Sequence, residues 1–221
     1  MTNALLHIPD EVDTLLLDLD GTLLDLAFDN RFWLSVVPEA YGALHGISAQ
    51  QALDEMMPRL KAVEGTLPWY CLDHWSEALG MDLSSLKTEH AGHVAWLPGA
   101  RDFLLRQKAK GRRLVLATNS HPETLRIKMT QVPVTDYVDA AWSSHPFGAP
   151  KEDARFWEGF RAVEHFDLQR TAFIDDNLNV LRAARAAGIA HPIAVTRPDT
   201  SLPEKQRPTE FPWVFGVADL V

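Results

Sequence analysis

Thr14-Leu-Leu-Leu-Asp18-Leu-Asp20-Gly21-Thr22 decides the fold. Its apolar run is continuous rather than alternating, and such runs form strands buried on both faces, as in parallel α/β sheets. The run stops at Asp18, and a second carboxylate, Asp20, follows just before a glycine. Charges at the end of a buried strand are costly unless they are used or paired. A turn at Gly21 can also aim backbone N–H groups at an anion. Asp-x-Asp-Gly by itself is equally compatible with a solvated acidic turn. An EF-hand loop is excluded: with Asp18 first, its fifth and sixth positions would be Thr22 and Leu23.

Working outward, the same texture recurs at Arg113–Thr118, Thr171–Asp175 and His191–Val195, with a weaker strand expected near Tyr137–Trp142. Helical patterns occupy Ala100–Ala109 and Asn179–Ala187. Three of the strands end on polar residues, Asp18, Thr118 and Asp175. In open α/β sheets the ligand crevice lies beyond the carboxyl ends of the strands, so these side chains should converge at one edge.

From Asp25 to Trp96 helical periodicity takes over, with stretches near Asn30–Leu44, Ala49–Val63, Trp69–Leu79 and Ser84–Val94. The expected architecture is a Rossmann-like parallel α/β core, residues 1–24 plus 97–221, carrying an inserted all-helical cap at 25–96. Thr196–Pro212, rich in proline and charge, reads as a surface loop or extended arm.

With 221 residues, 46% hydrophobic, the chain suffices for one sizeable core with an insert. Its net charge of −9 disfavours a nucleic-acid polymer as partner. The single cysteine, Cys71, rules out an internal disulfide and fits a reducing compartment. No window suits a membrane span, and the first ten residues lack a signal-peptide pattern, so a cytoplasmic location is expected. Monomer and homodimer are both compatible with this composition.

Asp175 and Asp176 bring a second acidic pair to the predicted crevice. Carboxylates opposed in a partly dry cleft repel one another, and a divalent cation relieves this. All-oxygen ligation points to Mg²⁺ rather than zinc. Lys151, after the Gly148-Ala-Pro turn, could aim its ammonium into the same space, although a lysine is more often a solvated surface residue.

Asp18-x-Asp20-Gly-Thr, Thr118-Asn119, Lys151 and Asp175-Asp176, in this order and at these strand ends, resemble the four motifs of the haloacid dehalogenase superfamily. The helical insert lies where that superfamily carries its type-I cap. The resemblance implies that Asp18 attacks phosphorus and becomes an aspartyl phosphate, and that Asp20 protonates the leaving oxygen and then activates water. It implies that Thr118 binds the transferring phosphoryl group, with Asn119 and the Gly21 loop beside it, and that Lys151 balances charge. Mg²⁺ would be held by Asp18, the Asp20 backbone carbonyl, Asp175 and Asp176. An aspartate at position 20 favours phosphomonoester hydrolysis over carbon–halogen cleavage, since a halide needs no proton; mutase chemistry uses the same pair.

A narrower resemblance, to bacterial GMP/IMP-type 5′-nucleotidases of that superfamily, rests on the run from Leu16 to Asn30, Trp69-Tyr-Cys-Leu-Asp73, Thr118-Asn119-Ser-His121-Pro, Phe147-Gly-Ala-Pro-Lys151-Glu-Asp153 and Glu204-Lys-Gln206. It implies a small phosphorylated metabolite, a purine mononucleotide, as substrate. Phe28, Asn30 and Trp69 are the candidate base contacts, with aromatic stacking worth about 1–3 kcal/mol per ring, although aromatics at helical spacing are more often core. The alternatives are a phosphatase of phosphoglycolate or a sugar phosphate, and a non-catalytic metabolite-binding protein.

Other signals carry less. His90 and His93 have no further ligand nearby in sequence to complete a zinc set. Ser120-His121 is no nucleophile–base pair, because adjacent side chains diverge. Cys71 reads as a small hydrophobe within an aromatic helix. P-loop and dinucleotide fingerprints are absent.

Overall fold

Each apolar run is laid beside another by parallel pairing. The computed structural model describes residues 5–221. Its strands are β1 (Thr14–Leu17), β2 (Arg113–Thr118), β3 (Ala140–Ser143), β4 (Thr171–Asp175), β5 (His191–Val195) and β6 (Trp213–Val214). They form one sheet in the order β3-β2-β1-β4-β5-β6, every pairing parallel. Leu17 is in register with Leu116 on one side and Ile174 on the other. Asp18, one residue beyond, still donates its N–H to the Ile174 carbonyl at 3.0 Å. Asp18, Thr118 and Asp175 therefore emerge together at the carboxyl edge.

Alternation along β1 explains why the leucine run has no polar member. Leu15 and Leu17 join a cluster with Phe103 and Leu104 of helix α7 (Ala100–Ala109), whereas Leu16 faces Phe156, Trp157 and Phe160 of α9 (Ala154–Val163). Val180 and Leu181 of α10 (Leu178–Ala186) share that second face, and α8 (Pro122–Gln131) packs through Leu125 and Met129 on the first. Both faces of the sheet are thus covered, as doubly wound parallel sheets require.

Every helix or strand between residues 27 and 93 is helical, and these elements own a separate apolar cluster around Phe32, Val37, Met56, Leu72, Trp75 and Leu83. They are α1 (Ala27–Arg31), a π-helical turn (Phe32–Val36), α2 (Val37–His45), α3 (Ala49–Ala62), α4 (Leu67–Tyr70), α5 (Leu72–Leu79) and α6 (Leu83–Glu89), then a 3₁₀ turn at Ala91–His93. The chain leaves and re-enters the core side by side: Asp25 donates to the Ala95 carbonyl, and Leu97 to that of Leu23, both at 2.9 Å.

Several expectations need correction. Trp69–Leu79 is not one helix. Cys71 breaks it in an extended conformation (φ −87°, ψ 110°), and its sulfur caps α5 by accepting the His74 N–H at 3.4 Å. Leu72, Trp75 and Leu79 fill the helical cluster, Trp69 packs against it while also lining the cavity, and Tyr70 lines the cavity beside it. Cys71 is accordingly half-buried between helices rather than sequestered within one. Thr196–Pro212 is the expected surface loop, largely exposed over residues 200–210, but it is anchored at its start. Pro198 accepts the Leu26 N–H at 2.9 Å, Asp199 is buried, and the chain then enters the sheet as β6, too short a strand to show in the sequence pattern. The weak strand starts at Ala140, because Val134–Tyr137 forms a 3₁₀ turn.

Candidate active site

Past β1 the chain reverses within six residues: Leu23 and Leu24 donate to the Leu19 carbonyl at 2.9 and 2.8 Å, and Gly21 donates to that of Leu24 at 2.7 Å. Gly21 adopts φ +89°, and a Cβ there would lie 2.8 Å from both Asp176 Cγ and Pro198 Cβ. Glycine is required for the turn and for the close approach of the β4 loop.

Lys151 arrives from the opposite side. Its backbone is fixed at both ends, with its N–H donating to Asn119 Oδ1 at 2.9 Å and its carbonyl accepting from Trp157 Nε1 at 2.8 Å. The side chain, 1% exposed, places Nζ 2.5 Å from Asp18 Oδ1 and 2.7 Å from Asp175 Oδ2. Burial pushes the carboxyl of Asp175 up to about 6, reinforced by Asp176 and opposed by Lys151. Asp18 is likewise raised by burial, with Lys151 pulling the other way and Asp175 adding to the rise. Lys205 Nζ lies 2.7 Å from Asp176 Oδ2, so two ammoniums serve three carboxylates and leave part of their negative charge uncompensated. Oxygens of Asp18, Asp175 and Asp176 lie within 4.8 Å of one another.

Asp20 stands apart from that group. Its Oδ1 meets Lys128 Nζ at 2.6 Å, and its Oδ2 accepts from Ser120 Oγ at 2.5 Å. Lys128 also reaches Asp29 Oδ2 at 2.5 Å, and Lys87 holds Asp29 Oδ1 at 2.8 Å. Burial works against the charge on Lys128, but Asp20 and Asp29 outweigh it and raise its pKa. Burial likewise opposes ionisation of Asp29, and the two lysines overcome it, holding that carboxyl well below the usual range. A further hub is Glu152. It accepts Tyr70 OH at 2.6 Å from the helical layer, and Asn119 Nδ2 at 2.9 Å and Asn177 Nδ2 at 3.3 Å from the core.

All of these charged groups except Lys128 line one cavity of about 1000 Å³ between sheet edge and helical layer. Its polar end holds Asp18, Asp20, Thr118, Asn119, Lys151, Asp175 and Asp176. Trp33, Leu34, Met57, Leu60, Trp69 and Leu72 also line it, giving it apolar wall. Asn30 lines it as well and donates to Asp199 Oδ2 at 2.7 Å. Gly21 lies behind Asp176 rather than on the wall. Phe28, another expected contact, is also off the wall. Only 5% exposed, it belongs to the core cluster beneath the Lys87 and Lys128 ammoniums, at 5.2 and 5.7 Å from its ring centre. On the single turn of α1, facing Asp29 and Asn30 into the cavity turns Phe28 into the core.

Tyr70, expected with Trp69 to face the crevice, does line the cavity, whereas Lys87, Lys128, Asp29, Glu152 and Ser120 are absent from the expected set. Two of them left a trace in sequence. Thr124, Ile127 and Lys128, and likewise Leu83 and Lys87, fall at helical spacings of three and four on buried stripes. A lysine in such a position needs a buried partner.

A parallel sheet with paired aspartates at its carboxyl edge, a buried lysine between them and a helical layer above defines a class of hydrolase. The profile of haloacid dehalogenase-like hydrolases matches residues 12–188. The chain belongs to that family and is an enzyme of it. It is 43% identical over 196 residues to the GMP/IMP nucleotidase YrfG of Escherichia coli K12, covering 89% of this chain and 88% of that protein. It is 26% identical over 190 residues to a phosphoglycolate phosphatase of Caulobacter vibrioides, covering 80% and 76%. Among solved structures, a phosphatase of the same superfamily from Thermococcus onnurineus superposes with a TM-score of 0.78 over 93% of this chain and 94% of that one, at 16% identity.

Proposed function

We propose that this enzyme hydrolyses the phosphomonoester of a purine 5′-mononucleotide, GMP or IMP, through an aspartyl-phosphate on Asp18. The observation that carries the reading is Lys151 Nζ bridging Asp18 and Asp175 at 2.5 and 2.7 Å, while Asp20 stands in the same cavity on a different lysine. Two carboxylates in distinct surroundings suit two roles, nucleophile and proton carrier.

Asp18 forms a bond to phosphorus as the ester oxygen leaves, and Asp20 gives that oxygen its proton. Asp20, now ionised, takes a proton from the water that attacks the acyl phosphate and regenerates Asp18. Thr118 and Asn119 hold the phosphoryl oxygens, and Lys151 offsets the charge of nucleophile and phosphate. The cluster of three carboxylates with hard oxygen donors and excess negative charge fits Mg²⁺, which Asp18, Asp175, Asp176 and the Asp20 backbone carbonyl would hold. When bound, that ion supplies charge neutralisation on the phosphoryl group.

Residues 25–96 act in this reading as a cap whose closure excludes bulk water. A cavity of about 1000 Å³ with tryptophans at its wall exceeds what phosphoglycolate needs and accommodates a nucleoside. The name of the E. coli relative points the same way. The test is phosphate release across mononucleotides, sugar phosphates and phosphoglycolate with Mg²⁺. GMP and IMP should lead, and Asp18→Asn should abolish all activity. A lead for phosphoglycolate overturns the substrate assignment, and a fully active Asp18→Asn overturns the chemistry.

A further inference from the structure

Beside the cavity, which His121 lines, three side chains from three separate stretches meet. Cys71 comes from the break between α4 and α5, His121 from the N-cap of α8, and His145 from the 3₁₀ turn His145–Phe147. One donor atom of each lies within 4.8 Å of the others, and the two imidazoles pack edge to face with ring centres 4.8 Å apart. None of the three is needed for the phosphoryl chemistry derived above.

His145 shows that this meeting is more than packing. Its Nε2 is buried with no hydrogen-bond partner, although the backbone of Asn119 hydrogen-bonds the ring. An unmet buried polar atom costs about 1–3 kcal/mol. A buried ring nitrogen left open in this way is free to act as a metal ligand. Burial, with His121 beside it, pushes the pKa of His145 down to about 4, so the ring is neutral near pH 7. A fourth donor stands close by: Asp73 Oδ2, on an exposed side chain of α5, lies 3.5 Å from His121 Nε2.

We propose that Cys71, His121 and His145 form a site for a thiophilic divalent cation of the zinc class, with Asp73 or water completing a tetrahedron. With Zn–S about 2.3 Å and Zn–N about 2.0–2.1 Å, tetrahedral donors sit about 3.3–3.6 Å apart. The three side chains need to draw in by no more than about 1.5 Å, within the reach of small χ rotations. Binding deprotonates the Cys71 thiol, the thiolate sulfur bonds the ion, and the proton passes to solvent. Donor chemistry sorts the two metals: oxygens at Asp18, Asp175 and Asp176 suit Mg²⁺, whereas sulfur and imidazole suit the softer ion. Cys71 belongs to the helical layer and both histidines to the core, so an ion bound here ties one to the other. Turnover that requires the layer to open, as the proposed function implies, is slowed by it.

The test titrates Co²⁺ into the full chain with Mg²⁺ in excess. One equivalent should bind with the visible absorption of a tetrahedral ion and a near-ultraviolet thiolate-to-cobalt charge-transfer band. Cys71→Ser, which keeps an N-capping oxygen for α5, should abolish that band. His145→Ala should weaken binding at least about tenfold, since even outer partners of a metal ligand are worth 10–100-fold. In parallel, Zn²⁺ should slow hydrolysis of p-nitrophenyl phosphate by the wild type and leave Cys71→Ser unaffected. Absence of the charge-transfer band in the wild type, or zinc inhibition unchanged in Cys71→Ser, places the ion at the aspartate cluster and overturns the site. The absorption readout stands whether or not nucleotides prove to be substrates.

Discussion

Lys128 Nζ lies 2.6 Å from Asp20 Oδ1, and the same ammonium lies 2.5 Å from Asp29 Oδ2. With Lys87 on the far side of Asp29, two buried lysines and two part-buried aspartates alternate in a chain of charge that ends on the proposed proton carrier. Asp20 is thereby held in place from behind by a cation that substrate does not touch, and Ser120 Oγ closes its other oxygen. Buried ion chains of this kind contribute little net stability but are costly to break.

Lys128→Met removes the buried ammonium that the part-buried Asp20 and Asp29 share. It should cost about 3–5 kcal/mol in urea unfolding and lower kcat for every substrate alike. Pairing it with Asp29→Leu should recover part of the stability but not kcat, since Asp20 stays unsupported. A stability loss under about 1 kcal/mol, the value of an ordinary surface pair, would contradict the buried chain.

The carboxyl of Asp175 titrates near 6 in the folded, metal-free protein against an ordinary value of 3.8. Between those values the folded state binds more protons than the unfolded one, so this group's contribution to stability is full below pH 3.8 and is lost as pH rises through about 6. In EDTA, Asp175→Asn should therefore be more stable than the wild type at pH 7, and the difference should shrink toward pH 4.5. Mg²⁺ should reverse the order at pH 7. Parallel unfolding curves for the two proteins at both pH values would count against the assignment.

Gly21→Ala forces a Cβ to within 2.8 Å of Asp176 Cγ and Pro198 Cβ at a φ of +89°. The backbone strain alone is about 1–3 kcal/mol, and Asp176 must move to make room. Calorimetry should show a lower Tm, and activity should need more Mg²⁺ for half-saturation. An unchanged Mg²⁺ requirement would mean that Asp176 does not depend on this contact.

Trp69 and Phe28 should part company. Trp69→Ala opens the cavity wall and should raise KM for GMP while sparing p-nitrophenyl phosphate. Phe28→Ala empties a core position and should cost about 3–5 kcal/mol of stability with no preference between substrates. Equal KM effects of Trp69→Ala on both substrates would remove it from base recognition.

The carboxyl edge of the sheet was legible because a parallel sheet converts sequence into position. Leu15, Leu16 and Leu17 must be covered on both faces, and the residue after them must emerge at the carboxyl edge, so Asp18, Thr118 and Asp175 were placed by their own strands. Boundaries blurred where the chain bends for tertiary reasons, as at Cys71, where periodicity continues through a break that turns Tyr70 toward Glu152.

Sequence by itself thus determined five of the six strands, the helical insertion and the aspartates at the strand ends, since hydrophobic runs and their termini are local properties. Only the tertiary structure decided which ammonium serves which carboxylate, because Lys151 meets Asp18 across 133 residues and Lys128 meets Asp20 across 108. It also put Phe28 in the core, Trp69 on the cavity wall, and Cys71 beside His121 and His145. Periodicity says which face of an element is covered; what covers it depends on how distant segments pack.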